Sequence, residues 1–176
     1  MKSHQNKTIQ AQRINLVPLS INDINFLEEF QAEEDIRKYL YQDQVNDKRS
    51  NHLFILSEKN KFREYEIGIW IITLNPPEKT KIGLIRLTAS ETYRGQIEIS
   101  FGLLKAYRKK GYTKDAIDSI IKFAFDRFNT LPKIIAVVNK ENKESLALLR
   151  KYRLNEEPNL SDNDNWVFYF PNENVK

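Results

Sequence analysis

Two hydrophobic periods run along this chain, and its elements are marked where one gives way to the other. The segment Ile14 to Val17 predicts a short strand. Ser20 precedes Ile21-Asn22-Asp23, a helix-start signature with acidic support in the first turn. The helix it opens carries Ile24, Leu27 and Phe30 on one face. Further helical stretches are expected over about Glu33 to Tyr41 and about Asp47 to Ser57. The period then changes to two. Glu66 to Leu74 predicts a strand, Asn75-Pro76-Pro77 a turn, and Lys81 to Ala89 a second strand. After a turn at Tyr93-Arg94-Gly95, Gln96 to Leu104 alternates Ile97, Ile99, Phe101 and Leu103 with Glu98, Ser100 and Gly102. These three strands read as an antiparallel meander.

The helical period returns from about Thr113 to Phe128, where Ala116, Ile117, Ile120, Ile121, Ala124, Phe125 and Phe128 form one stripe. Pro132 starts the run Ile134 to Val138, whose continuous apolar character predicts a strand buried on both faces. A helix over Asn142 to Tyr152 keeps Leu146, Leu149 and Tyr152 in register, and Trp166 to Phe170 closes the chain as a strand. The order βααβββαβαβ predicts the α/β class, with a mixed, mostly antiparallel sheet flanked by helices.

Composition narrows the chemistry. At ~150 residues per domain, 176 residues make a single domain, with its core over about 8–170. The chain has no cysteine, which excludes a disulfide scaffold, thiolate catalysis and a cysteine-ligated zinc site. His4 and His52 lie far apart without ligand spacing, so no metal is expected. The polar segment Met1 to Gln12 is no secretory signal, and the longest apolar run, around Ile67 to Leu74, is too short to cross a bilayer. These features predict a soluble, cytoplasmic protein without a membrane partner. The net charge of +4 suits an anionic ligand or a nucleic acid, and is equally ordinary for a soluble protein.

The informative stretch is Phe101 to Thr113, FGLLKAYRKKGYT. A strand ends, three cationic side chains and a glycine follow, and a long helix starts. A helix start presents unsatisfied N–H groups and a positive partial charge, which suit an anion. Gly111 lets the backbone approach that anion, and Arg108, Lys109 and Lys110 add cationic donors. This reads as a diphosphate cradle; the plainer reading is a basic solvated turn. It is neither a Walker loop, lacking GKS or GKT, nor the dinucleotide GxGxxG.

The order of strand, [R/Q]-x-x-G-x-[G/A] loop, long helix, buried strand and Asn-opened helix resembles the GNAT-type N-acetyltransferase superfamily. It is most similar to the ribosomal-protein N-terminal acetyltransferase subgroup. IRKYL (36–40), IEISFGLLKAYRKKGY (97–112), KDAIDSIIKFAFD (114–126) and VVNKENKESLALLRK (137–151) carry the resemblance over about residues 8 to 170. It implies the GNAT acyltransferase fold, acetyl-CoA as cosubstrate, and direct transfer to a primary amine such as a protein N-terminus. Phe101 and Leu103 would supply backbone groups to the pantetheine arm. The N–H groups of Arg108, Lys109, Lys110, Gly111, Tyr112 and Thr113 would hold the pyrophosphate. Asn142 would contact the CoA arm with Ser145 one turn on, although helix capping explains both residue types. Lys109, Lys110 and Lys151 would be within reach of the 3′-phosphate.

The sequence departs from the pattern at Thr113, where Gly or Ala is usual. It departs at Leu149, where many members carry a tyrosine acid, and at Arg153-Leu154, where a Gly-Phe pair often closes the helix. The resemblance makes the N–H of Leu103 the oxyanion donor and Glu98 the candidate base. Tyr107, Tyr112 and Tyr152 are available as acids without one being singled out. Arg37, Tyr39, Tyr41, Trp70, Trp166 and Tyr169 are candidate acceptor walls, and Glu33, Glu34 and Asp35 could favour a cationic amine. The alternatives are a polyamine or aminoglycoside acetyltransferase and a non-catalytic CoA-binding module. A nucleic-acid partner is not expected, because the basic residues cluster at one helix start. A homodimer is compatible with the sequence.

Overall fold

The computed structural model describes residues 8–41, 47–152 and 154–175, so His4 and Arg153 lie outside the described residues. The strands are β1 (Ile9–Gln10), β2 (Ile14–Pro18), β3 (Ile69–Leu74), β4 (Lys81–Ala89), β5 (Ile97–Leu103), β6 (Lys133–Asn139), β7 (Asn155–Glu156) and β8 (Asn165–Pro171). The helices are α1 (Ile24–Ala32), α2 (Glu34–Leu40), α3 (Lys48–Tyr65), α4 (Tyr112–Arg127) and α5 (Lys143–Lys151). The strands form one mixed sheet in the order β1-β2-β3-β4-β5-β6-β8-β7. The expected α/β class holds, and α3 and the two short strands β1 and β7 lengthen the expected order. No helix of the described residues is long and apolar enough to cross a membrane.

The chain divides into two compact units, Met1–Arg86 with Phe101–Ile120, and Leu87–Ser100 with Ile121–Lys176. In the first, β2 pairs antiparallel with β3, from Ile14↔Leu74 to Pro18↔Trp70. β3 pairs antiparallel with β4 through Trp70↔Ile85 and Ile72↔Gly83. Residues 69–72 are all buried, so β3 is covered on both faces. Leu19, Phe26, Leu27, Phe30, Ile36 and Ile55 pack with Ile69, Ile71, Leu84 and Leu104. Before α1, the Ser20 N–H and hydroxyl both donate to Asp23, at 2.8 and 2.7 Å, and Lys81 pairs with the same carboxylate at 2.7 Å. The expected start signature is therefore present, but it opens a 3-10 turn (Ile21–Asp23) ahead of the helix.

α3 runs eight residues past its expected end at Ser57, through positions 58–65 for which no element was expected. Asp47 caps it by accepting from the Ser50 N–H at 2.7 Å. Glu66, expected to open a strand, is instead its left-handed C-cap at φ 58. The inward positions 51, 55, 58 and 62 do keep the helical period. Two of them are polar, Asn51 and Glu58, so hydrophobicity does not reveal it. Asn51 donates to Gln31 of α1 at 3.0 Å.

In the second unit, β5 pairs parallel with β6 at Ile97↔Ile134 and Glu98↔Ile135. β6 pairs antiparallel with β8 along its length, from Lys133↔Pro171 to Asn139↔Asn165. Ile134, Ile135, Ala136 and Val138 are buried, as the apolar run requires. On α5, Leu146 and Leu149 face inward, and Tyr152 meets the Phe170 ring edge-on at 5.6 Å.

Candidate active site

The first unit contains the loop between β5 and α4. Its approach is set at Gly102, where a Cβ would lie 2.7 Å from Ile36, 2.9 Å from Leu40 and 2.9 Å from Phe30. The missing side chain lets α1 and α2 sit directly on the end of β5. On the other side Gly83 of β4 is equally close. A Cβ there would fall 2.2 Å from the Gly102 carbonyl oxygen and 3.0 Å from Leu103 Cα. A trans peptide points its C=O and the next N–H in opposite directions. With the Gly102 oxygen against Gly83, the Leu103 N–H faces away from β4. The Leu104 N–H donates to Ile82 at 2.9 Å, which fixes the next peptide the other way round.

A 3-10 turn (Lys105–Tyr107) leads into the loop. Arg108 is extended, Lys109 is left-handed at φ 61, and Gly111 is left-handed at φ 85. Left-handed residues on both sides of Lys110 curl the backbone so that successive N–H groups line a concavity. α4 begins at Tyr112, and its first intrahelical bond closes from the Asp115 N–H to the Gly111 oxygen at 3.2 Å. The N–H groups before it are those a helix start leaves to other acceptors.

The Arg108 side chain is engaged within the protein. Two carboxylates at the junction of α1 and α2 claim its side chain. It donates to Glu33 at 2.6 Å, to both oxygens of Asp35, and through Nε to the Leu103 oxygen at 2.8 Å. Glu33 also accepts from the Lys105 N–H at 2.8 Å. The guanidinium therefore ties β5 to the α1–α2 corner. Lys109 and Lys110 remain exposed on the loop, with Lys110 Nζ 5.4 Å from the centre of the Tyr107 ring. Glu33 and Asp35, the acidic pair expected to attract a cation, are spent on Arg108. Glu34 is exposed.

Arg13, just before β2, has no motif to mark it in the sequence, yet it backs this loop. It donates through Nη1 to the Lys110 oxygen at 2.9 Å and through Nε to Asp115 at 2.7 Å. Its guanidinium lies 5.1 Å from the Tyr112 ring centre. Its Nη2 is 2.8 Å from where a Gly111 Cβ would stand. The hydrogen bond to Asp115 raises the Arg13 pKa. Trp70, a candidate acceptor wall, is instead fully buried against Phe62. Tyr41 is half-buried, and burial pushes its phenol up to about 12. Tyr39 lies beneath Lys38.

The second unit carries the other candidates. Glu98 is half-buried and accepts from the Ser90 hydroxyl at 2.7 Å. Ser90 in turn accepts from the Tyr93 N–H at 3.2 Å. Burial, and then the charges of Asp162 and Glu98, raise the Tyr93 phenol pKa. A serine and a tyrosine around a turn carry no distinctive spacing, so the sequence marks Tyr93 only as part of a turn and Ser90 not at all. Asn142 is the N-cap of α5 and accepts from the Ser145 N–H at 3.1 Å, so the capping role weighed for this pair is present. Leu149 is fully buried core. Trp166 and Tyr169 lie under Lys140 and Lys133, with the ammonium 4.5 and 5.2 Å from the ring centres.

A family model described as an acetyltransferase (GNAT) domain matches residues 13–155. An uncharacterized N-acetyltransferase p20 of Bacillus licheniformis is 22% identical over 156 residues, spanning 89% of this chain and 86% of the relative. Among solved structures, an acetyltransferase from Agrobacterium tumefaciens superimposes with a TM-score of 0.79 at 20% identity, covering 94% of this chain and 95% of that one. RimL, a ribosomal L7/L12 alpha-N-protein acetyltransferase in complex with coenzyme A, gives 0.79 at 11% identity over 94% and 98%. The microcin C7 self-immunity acetyltransferase MccE, in complex with acetyl-CoA and AMP, gives 0.72 at 15% identity over 92% and 93%.

Proposed function

The chain belongs to the GNAT acetyltransferase family and is an acetyl-CoA-dependent N-acetyltransferase; from that premise we propose that it acts as one domain and acetylates a peptide N-terminus by direct transfer. The observation that carries the cofactor half is the pair of left-handed residues, Lys109 and Gly111, curling the backbone at the start of α4. That curl suits a diphosphate better than a solvated turn requires. The backbone of Arg108 to Thr113 holds the diphosphate, and exposed Lys109 and Lys110 add charge. Acetyl-CoA supplies the activated acyl group.

The Leu103 N–H is the oxyanion donor in this reading. Its direction away from β4, and a parallel register that covers only Ile97 and Glu98 of β5, support that role. Phe101 and Leu103 line the pantetheine arm. The Leu103 carbonyl already accepts from Arg108, which leaves it one lone pair for that contact. Glu98 takes the ammonium proton of the acceptor, with Ser90 holding the carboxylate in one orientation. Asn142 and Ser145 contribute to the arm only through whatever their cap leaves over.

A singly charged peptide N-terminus is favoured over a polyamine because Glu33 and Asp35 are both engaged by Arg108. Excess acetyl-CoA should raise Tm; at a hundred times Kd the stabilisation is about 2.7 kcal/mol. No rise would overturn the cofactor half. Free-thiol release should follow with free-N-terminus peptides and not with polyamines or aminoglycosides. The reverse preference would overturn the acceptor half. Glu98→Gln should abolish the acid limb of the kcat/KM profile on the true acceptor. A profile unchanged across pH removes Glu98 as base.

A further inference from the structure

We propose that Arg13 is a positioning residue that presets the direction of the Gly111 N–H, and so builds the diphosphate cradle before any ligand arrives. The inference rests on the acetyl-CoA reading above and concerns a residue no motif marks. The Lys110 C=O and the Gly111 N–H belong to one planar trans peptide and point in opposite directions. Arg13 Nη1 holds the Lys110 oxygen at 2.9 Å, on its own side of the loop. The Gly111 N–H must therefore point away from Arg13, toward the concave side.

Three points of one rigid plane fix the arrangement. Nε is anchored 2.7 Å from Asp115, in the first turn of α4. Nη1 orients the Lys110 peptide. Nη2 fills the space beside Gly111 that a Cβ would need. The face of the group also lies near the Tyr112 ring. Without the fork, the peptide between two left-handed residues could turn its oxygen inward and repel a phosphate. An ammonium carries the same charge but no plane, so it cannot make the three contacts together.

The test compares wild type with Arg13→Gln and Arg13→Lys by titration with acetyl-CoA, S-acetylpantetheine and inorganic pyrophosphate. S-acetylpantetheine carries the thioester arm without the diphosphate. Arg13→Gln should weaken acetyl-CoA and pyrophosphate about tenfold and S-acetylpantetheine less than about twofold. Arg13→Lys should fall between. Should Arg13→Gln fail to fold, Arg13→Lys carries the same comparison. Equal weakening of all three ligands would mean a general structural role and would overturn the proposal, as would wild-type affinity in both variants. Arg13-dependent binding of pyrophosphate by a protein that ignores acetyl-CoA would overturn the functional reading and uphold this one. A wild type that binds neither overturns both.

Discussion

Gly83→Ala is the substitution with the most direct structural consequence. The added methyl would stand 2.2 Å from the Gly102 oxygen, 2.5 Å from Leu103 Cδ2 and 3.0 Å from Leu103 Cα, where real Cβ atoms essentially never come under 3.0 Å. The Leu103 side chain can turn aside, but the Gly102 carbonyl is backbone and cannot. It is also held from the far side, because Ile36, Leu40 and Phe30 already press on Gly102. Either β4 and β5 separate locally, or the 102–103 peptide rotates. Overpacking of this kind costs about 1–3 kcal/mol, and a backbone-on-backbone clash belongs at the upper end. At about 2–4 °C per kcal/mol for a chain of this size, about 3 kcal/mol lowers Tm by roughly 10 °C. Rotation of that peptide would also redirect the Leu103 N–H and depress kcat more than KM for acetyl-CoA. Thermal unfolding followed by circular dichroism, with steady-state kinetics on whatever protein remains folded, reads both effects. A Tm within about 2 °C of wild type would refute the packing argument.

Gly111→Ala must adopt φ 85 with a methyl 2.8 Å from Arg13. The strain is about 1–3 kcal/mol, and acetyl-CoA binding measured by calorimetry should weaken at least as much as stability falls. Arg108→Gln strips the cation from two partly buried carboxylates. Its cost lies between those of an exposed and a buried pair, about 2 kcal/mol, or about 6 °C in Tm by calorimetry. Tyr41 gives a pH signature. Its phenol rises from 10.0 to about 12, so the folded state keeps a proton that the unfolded chain releases between those values. Its contribution is complete below pH 10 and is lost as pH climbs toward 12, and Tyr41→Phe should remove that part of the slope in urea titrations.

The repeating parts of the fold were legible because burial there follows a period. Lys81–Ala89 and α4 fall within a residue of expectation, since β-branched alternation and the Ala116/Ile117/Ile120/Ala124 stripe answer directly to a covered face. α3 was half-read because its inward side carries Asn51 and Glu58. The loop at 108–113 was recognisable from its glycine and cations, but the duties of those cations were not. Arg108 looks identical to a phosphate ligand in sequence, and only the folded chain brings Glu33 and Asp35 to it. Arg13 lies 97 residues from the carbonyl it orients, a separation no local pattern spans. Ser90 likewise gains meaning only when the turn returns β5 alongside it.

The Gln31–Asn51 contact reaches beyond helix packing. One amide donates to the other at 3.0 Å, leaving Gln31 Nε2 and Asn51 Oδ1 buried with no hydrogen-bond partner among the described residues. Flipping both amides reverses the bond and exchanges which atom of each amide lies outside it. Each orphan costs about 1–3 kcal/mol, and against that α3 offers Ile55 as a fully buried apolar anchor, with Phe54 and Phe62 partly buried beside it. This seam favours local opening of the first unit, with water repairing both amides once α3 lifts. Amide hydrogens of α3 should therefore exchange well before those of β3 and β4, giving the molecule a helix that can shift while its sheet stays closed.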